Sequence, residues 1–329
     1  MAISLETRLR IIWYFSCPRT WLYALLGYHF GYYIGSEGDL GWKLWVGDLI
    51  YGALGTGATN FINHVHDQKE DSVNKPIRIT YLKHVTEHDL MVMTWACYAI
   101  CLALSFLYGN WLFVALCMLS VFHSHQYSAP PLRLKKSWTT NNLFLSFGSN
   151  TIPFIAGWIV SRPVSTIPLA PLILGFLFIL FTLISKDVPD IEGDRYAKLS
   201  TIPLDFGMMN YQIQAYIPII CTFVMVLFGF LPIRFNIFGI STLVALSIIF
   251  LMDKGKLTPH GSRITHFVKV FTYSQMANCL LYSLIEPTYS NIIFSAITAV
   301  ITFIFIFTAG FLYPSASSGI EAANPQHGG

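Results

Sequence analysis

Of the 17 Asp and Glu residues in this chain of 329, seven fall in two short stretches. Asp67, Glu70 and Asp71 form the first; Asp187, Asp190, Glu192 and Asp194 form the second. Asn63, Asp67 and Asp71 are spaced i, i+4, i+8, and Asp187, Asp190 and Asp194 are spaced i, i+3, i+7, so on a helix each set lines one face. Stacked like charges destabilise a helix by roughly 0.2–0.5 kcal/mol per pair, and the arrangement therefore asks for a cation. Hard oxygen donors at this density suit Mg²⁺, which keeps several waters and is held by one or two carboxylates together with substrate phosphate. Basic residues are interleaved with the acids: Lys75 and Arg78 follow the first stretch, while Lys186 and Arg195 bracket the second. Carboxylates, a divalent ion and Lys or Arg donors are together what a diphosphate requires. Such a site stabilises the negative charge that builds on pyrophosphate as an allylic C–O bond breaks.

The elements that must position these residues are membrane helices. The chain is 54% hydrophobic and 11% charged, with a mean hydropathy of +0.56, too apolar for an ordinary soluble domain. Apolar stretches long enough to cross about 30 Å of hydrocarbon recur from Thr20 to Gly35, Lys43 to Asn63, Asp89 to Tyr108, Trp111 to Tyr127, Asn142 to Val160, Ile167 to Ser185, Ile213 to Leu231 and Phe235 to Met252. Thr265 to Leu284 and Asn291 to Leu312 follow as further candidates. Long apolar runs without period-two alternation exclude a β-barrel and predict an all-α polytopic bundle.

Placing the N-terminus in the cytoplasm puts 16 of the 20 Lys and Arg on one side, so the loops after the second, fourth, sixth and eighth spans are expected to be cytoplasmic. Both acidic stretches then open on the cytoplasmic face. They are four spans apart, which suggests two similar four-helix halves that each give one acidic cluster to a shared cavity. No cleavable signal or transit peptide is visible, and a prokaryotic plasma membrane is the expected location. The six cysteines lie almost entirely in spans without a CxxC pair and are expected to be small buried hydrophobes. Gly55-Thr56-Gly57 is expected to allow close helix packing, since no Walker-type Lys follows it. His123 and His125 are expected to hydrogen-bond across helices. The residues from Pro314 to Gly329 read as a disordered tail after one transmembrane domain over 1–313.

At the acidic stretches the sequence resembles the intramembrane prenyltransferases of the UbiA superfamily, in particular the branch of homogentisate prenyltransferases and chlorophyll synthases. The similarity is carried by Asn63-His64-Val65-His66-Asp67-Gln68-Lys69-Glu70-Asp71, by Lys186-Asp187-Val188-Pro189-Asp190-Ile191-Glu192-Gly193-Asp194-Arg195, and by Tyr127-Ser128-Ala129-Pro130-Pro131-Leu132-Arg133-Leu134-Lys135. It implies nine core helices, with a tenth span as an alternative count, around a cavity open to lipid. It also implies two Mg²⁺ ions, one on Asp67 and Asp71 and one on Asp190 and Asp194 with Asp187 as an accessory ligand. Asn63 would orient the first cluster. Arg78, Lys186, Lys135 and Arg195 would grip the diphosphate, with Tyr127 and Ser128 beside it. Three places depart from the family pattern: Cys17-Pro18-Arg19-Thr20 stands where Arg-Pro is frequent, His64 replaces a residue that is often Asp or Gln, and Ile79-Thr80-Tyr81 follows Asn74-Lys75-Pro76-Ile77-Arg78 in place of the usual Pro-Ser-Gly.

The expected function is Mg²⁺-dependent transfer of a farnesyl, geranylgeranyl or phytyl-class chain from its diphosphate, through an allylic cation, to an aromatic or quinone-precursor acceptor. The alternative on the same fold is a membrane terpene cyclase, in which the substrate's own double bonds capture the cation. A transporter would place its acids at the midplane rather than at the cytoplasmic ends. Membrane lipid is the expected surrounding, and nothing in the sequence points to nucleic acid.

Overall fold

A break in the chain at Cys17 sets the entry into the bundle. Helix α1 (Leu5–Ser16) begins on Ser4, whose hydroxyl accepts from the Thr7 amide at 3.1 Å, and ends where Cys17 adopts a left-handed conformation at φ +46°. Pro18, with its fixed φ and no amide to satisfy, then opens α2 (Pro18–Gly35). The computed structural model describes residues 3–182, 187, 190–207, 288–305 and 312–313. The expected spans over 213–231, 235–252 and 265–284 lie outside the described residues, as do Lys186, Cys221, Cys279 and the 314–329 tail.

The described residues are helical and contain no strand. After α2 come α3 (Trp42–Leu49) and α4 (Gly57–His66), joined through a π-helical segment at Ile50–Thr56. Short α5 (Gln68–Asn74) and α6 (Pro76–Tyr81) lead into α7 (Glu87–Ser105), which Thr86 and Asp89 start with a reciprocal capping box. Helix α8 (Trp111–Ser128) follows, its first amides capped by Asn110. Helices α9 (Trp138–Ser146) and α10 (Ile152–Ile159) are again joined through a π-helical segment, at Phe147–Thr151. The remaining described elements are α11 (Leu169–Thr182), α12 (Ile191–Ala197), α13 (Ile202–Asp205) and α14 (Tyr289–Phe303). Among the described residues one helix, Glu87–Tyr108, is long and apolar enough by itself to cross a membrane. The others are more polar, shorter or interrupted. Val92, Trp95, Met118 and Phe122 stand on the exposed surfaces of α7 and α8, while Thr94, Ser105 and Ser124 are buried, the distribution that a lipid surround favours.

Helices α2 and α10 cross at small residues. A Cβ on Gly157 would lie 2.4 Å from the Tyr28 carbonyl oxygen, so the two backbones can meet only with glycine there. Tyr28 and Tyr108 converge on the Lys43 carbonyl at 2.8 and 2.6 Å, and Tyr108 stacks on Phe113 at 4.0 Å. Cys101 and Cys117 are buried in this cluster as free thiols, as their composition predicts; Cys17 and Cys97 are half-buried. In Gly55-Thr56-Gly57 it is Gly57 that serves helix packing, buried against Trp21 of α2. Gly55 and Thr56 fall in the first π-helical segment and line a cavity, because the wider π turn displaces the backbone there.

One buried pair ties the last described helix to the first hairpin. His29 Nδ1 lies 2.7 Å from Asp48 Oδ2, its Nε2 lies 3.2 Å from Thr298 Oγ1, and its ring stacks on Phe294 at 4.6 Å. Truncating one member of a buried pair typically costs about 3–5 kcal/mol, because the other is left unpaired. Asp48→Ala is therefore expected to lower the thermal unfolding temperature in detergent by several degrees, with turnover per folded molecule retained. Parallel unfolding and rate measurements check this.

Candidate active site

The first acidic stretch lies where α4 gives way to α5. Asp67 sits at the junction with φ −101° and ψ 11°, so the helix bends there. The ladder nevertheless continues through the bend: the Asp67 amide donates to Asn63 O at 2.8 Å and the Asp71 amide to Asp67 O at 2.8 Å. The expected stacking of Asn63, Asp67 and Asp71 is thus kept by hydrogen bonds across a kink instead of by a straight helix. The second stretch repeats the device at the start of α12. Asp190 N meets Asp187 O at 3.2 Å, and Asp194 N meets Asp190 O at 2.9 Å.

Helices α5 and α12 pack against each other, and Asn74 clasps them. Its Nδ2 donates to the Asp190 carbonyl at 2.9 Å, and its Oδ1 accepts from the Gly193 amide at 2.7 Å. A Cβ on residue 193 would fall 2.2 Å from Asn74 Nδ2 and 2.6 Å from Glu70 O, so the closeness of the two acidic helices depends on glycine at this place.

Asp67, Asp71 and Asp190 are each paired with a Lys or Arg side chain. Lys75 Nζ lies 2.7 Å from both Asp190 carboxylate oxygens, Arg78 lies 2.8 Å from Asp71 Oδ1, and Lys135, itself nearly buried, pairs with Asp67. Arg133 bonds Glu70 at 2.7 Å and the His66 carbonyl at 3.1 Å. Burial alone would raise the Asp71 carboxyl, but its interaction with His64 and the charge of Arg78 outweigh burial and hold it below the usual carboxylate range. Burial would likewise lower Arg78, yet Cys17, Asp71 and Tyr14 more than offset this and keep the guanidinium charged. On the inner side, Ser128 hydrogen-bonds Asn63, and Tyr127 donates to Asn141 at 2.6 Å, which in turn reaches Asp187 at 3.4 Å.

Asn63, Asp67, Asp71, Arg78, Tyr127, Ser128, Lys135, Asp187, Asp190 and Asp194 are therefore brought to one end of the bundle, while Lys186 lies outside the described residues. Arg195 does not join them. It stands on the outer face of α12, 63% exposed, and pairs with Glu192 at 3.0 Å, because the helical turn from Asp194 carries it away from α5. An exposed pair of this kind contributes about 0–1 kcal/mol. Arg195→Ala is expected to leave the steady-state kinetic constants unchanged, a result a direct kinetic comparison checks.

Arg133, Asn74, Asn141 and His64 belong to the site and escape a reading based on acid spacing. Arg133 stands two residues before Lys135, and Asn74 directly precedes Lys75; those neighbours were the available signals.

From Asn63 a cavity of about 220 Å³ runs into the bundle, with Tyr51, Asn60, Tyr98, His123, Ser124 and Tyr127 in its walls. Its accessible lining is mostly apolar, with a few polar side chains set into it. The Tyr51 hydroxyl, Ser120 Oγ and His123 Nε2 are buried there with no hydrogen-bond partner among the described residues. His123 stacks on Phe144 at 5.2 Å and meets its backbone across the helices, as expected, whereas His125 has a ring contact with Trp95 at 5.2 Å instead.

Comparison with known proteins follows the same outline. The model of the UbiA prenyltransferase family matches residues 24–274. Digeranylgeranylglyceryl phosphate synthase from Methanothermobacter thermautotrophicus is 26% identical over 228 residues, covering 65% of this chain and 76% of that protein. The chloroplastic chlorophyll synthase of Oryza sativa subsp. japonica is 30% identical over 169 residues, 49% of this chain and 44% of that protein. A solved UbiA homolog from Archaeoglobus fulgidus, bound to GPP and Mg²⁺, has the same fold: its TM-score is 0.66 at 19% identity, over 91% of this chain and 99% of that one.

Proposed function

The chain belongs to the UbiA prenyltransferase family, and we propose that it transfers an isoprenoid chain from a polyprenyl diphosphate to an aromatic or quinone-precursor acceptor. The observation that carries this is the convergence of two kinked aspartate ladders, with Lys75, Arg78 and Lys135, at the mouth of a largely apolar cavity.

The donor set suits magnesium. Among the described residues no three acidic, His or Cys side chains converge on one point, and around one or two carboxylates water with diphosphate oxygens would complete an octahedral shell. Asp67 and Asp71 would hold one ion, and Asp190 and Asp194, supported by Asp187, the other. Glu70 Oε2, buried without a partner, adds unused acceptor capacity beside them. That the A. fulgidus homolog was solved with GPP and Mg²⁺ supports magnesium as the ion. When bound, Mg²⁺ supplies neutralisation of the pyrophosphate leaving group.

The chain's own residues do the rest. Arg78, Lys75 and Lys135 pair with the aspartates and can turn to phosphate oxygens when a diphosphate enters, so that charge-assisted hydrogen bonds are exchanged instead of lost. Asn63, held by Ser128, marks the threshold between diphosphate site and cavity. Past it, Tyr51, Ser120 and His123 offer unpartnered polar atoms that a hydroxylated ring would satisfy and a hydrocarbon would not. We further propose one transmembrane domain over 1–313 with a short tail, an N-terminus in the cytoplasm, and a plasma-membrane location with the aspartates at the cytoplasmic mouth.

The test is incubation of the purified chain with Mg²⁺ and farnesyl or geranylgeranyl diphosphate, with and without homogentisate or a related phenol. A prenylated phenol and acceptor-dependent pyrophosphate release are expected. A cyclic hydrocarbon or terpene alcohol formed without acceptor would replace the transferase assignment by a cyclase.

A further inference from the structure

Two of the places at which the sequence departs from the family pattern, Cys17 and His64, are 47 residues apart and touch: Cys17 Sγ lies 3.8 Å from His64 Nε2. The other imidazole nitrogen, Nδ1, faces Asp71, 3.5 Å from Oδ2, and makes no full hydrogen bond. His64 is 3% exposed, and the ring of Phe15 packs against it at 4.9 Å. A carboxylate only accepts, so the nitrogen facing Asp71 carries the proton; Nε2 is then the acceptor, and the donor in reach is the Cys17 thiol, which lies between Nε2 and the Tyr14 carbonyl at 3.5 Å. The result is a chain from thiol to imidazole to carboxylate.

The backbone holds this chain in place. Cys17 is in the left-handed region, which a residue with a Cβ enters only when its surroundings impose it. Here the surroundings do. Asn60 Nδ2 donates to Ser16 O at 2.7 Å and to Thr20 Oγ1 at 2.8 Å, and Trp21 Nε1 donates to Ser16 O at 2.7 Å. The break between α1 and α2 is thus pinned to α4, the helix that carries His64. On the other side of Asp71, Arg78 fixes both carboxylate oxygens at 2.8 and 3.1 Å.

We infer that Cys17 and His64 are a positioning pair: the thiol sets the imidazole, and the imidazole sets the Asp71 carboxylate that, on the function proposed above, binds magnesium. Neither touches the diphosphate or the reacting carbon; both act through Asp71. Outer partners of metal-binding groups commonly change metal affinity by about 10–100-fold when removed.

Two isosteric substitutions separate the contacts. In His64→Asn the amide nitrogen can take the place of Nδ1, keeping the Asp71 contact and dropping that to Cys17. In His64→Gln the amide oxygen can take the place of Nε2 and accept from the thiol, with the opposite effect. The full chain is titrated in detergent with Mn²⁺, read by loss of the free-ion paramagnetic resonance signal, in the presence of a non-cleavable geranylgeranyl thiolodiphosphate. His64→Gln is expected to weaken Mn²⁺ binding by about ten-fold or more, and His64→Asn to recover most of it, within about three-fold of the unsubstituted chain. Cys17→Ala is expected to weaken binding, Cys17→Ser to restore it, and Cys17→Ala to have no added effect on a His64→Asn background. Equal affinities in His64→Asn and His64→Gln, or an undiminished Cys17→Ala effect on the His64→Asn background, would overturn the inference. The Cys17 series alone decides the matter if a His64 variant does not fold. Absence of Mn²⁺ binding by the unsubstituted chain would defeat the proposed function instead, so the two failures are distinct.

Discussion

Asp67→Ala and Asp190→Ala are each expected to remove turnover, by about a thousand-fold or more, while the protein is still extracted and purified as a folded species. The size follows from what each carboxylate does in the proposed site. An ion placed on a leaving diphosphate is worth several kcal/mol of transition-state stabilisation, and each 1.4 kcal/mol is about ten-fold in rate. Because the two residues belong to different clusters, held together through Asn74, one cannot substitute for the other. Removing Asp67 also strips nearly buried Lys135 of its nearest partner, leaving Glu70 at 3.5 Å, so Asp67→Asn is the variant that separates lost chemistry from lost stability. Single-turnover measurements with saturating prenyl diphosphate and acceptor check the rate, and thermal unfolding in detergent checks the fold. Near-normal rates in either alanine variant would defeat the two-cluster assignment.

The second large effect is expected from a residue without chemistry of its own. Gly193→Ala puts a methyl group 2.2 Å from Asn74 Nδ2 and 2.6 Å from the Glu70 carbonyl oxygen. The side chain of Asn74 could move aside, but the backbone at Glu70 could not without shifting α5. Helix α12 would be driven off α5, and the Lys75–Asp190 contacts at 2.7 Å would lose their register. A misplacement of about 1 Å in a site that works by positioning can cost about 100-fold in rate. A fall of that order in kcat is expected, with no large change in unfolding temperature, since α12 is short and lies at the end of the bundle. Asn74→Ala, which removes two hydrogen bonds without adding bulk, is expected to fall between Gly193→Ala and the unsubstituted chain. An unaffected Gly193→Ala rate would mean that the two acidic helices need not be close.

Much of this was legible in the residues before any coordinates. Acid spacing over Asn63, Asp67 and Asp71 and over Asp187, Asp190 and Asp194 identified both ladders, because a 3.6-residue period places such residues on one face whether or not the helix is straight. The charge of the loops placed Lys135 and Asp67 at one end of the bundle, and they are in contact. What spacing could not give was side-chain direction past a helix end. Arg195 follows Asp194 directly, yet one helical step of about 100° turns it to solvent. Nor could local sequence reveal that Cys17 meets His64, since that contact depends on how a strained break at φ +46° folds α1 back over α4. The π-helical segments at Ile50–Thr56 and Phe147–Thr151 were also invisible, because one extra residue in a turn leaves no mark on residue type.

The central claim is that the two aspartate clusters together bind a prenyl diphosphate through magnesium. Equilibrium binding of radiolabelled geranylgeranyl thiolodiphosphate to the purified chain, with Mg²⁺ and with excess EDTA, tests it most directly. Saturable binding that requires Mg²⁺, and that is lost in both Asp67→Ala and Asp190→Ala, is the expected result. Binding of equal strength in EDTA, or binding that survives either substitution, would contradict it.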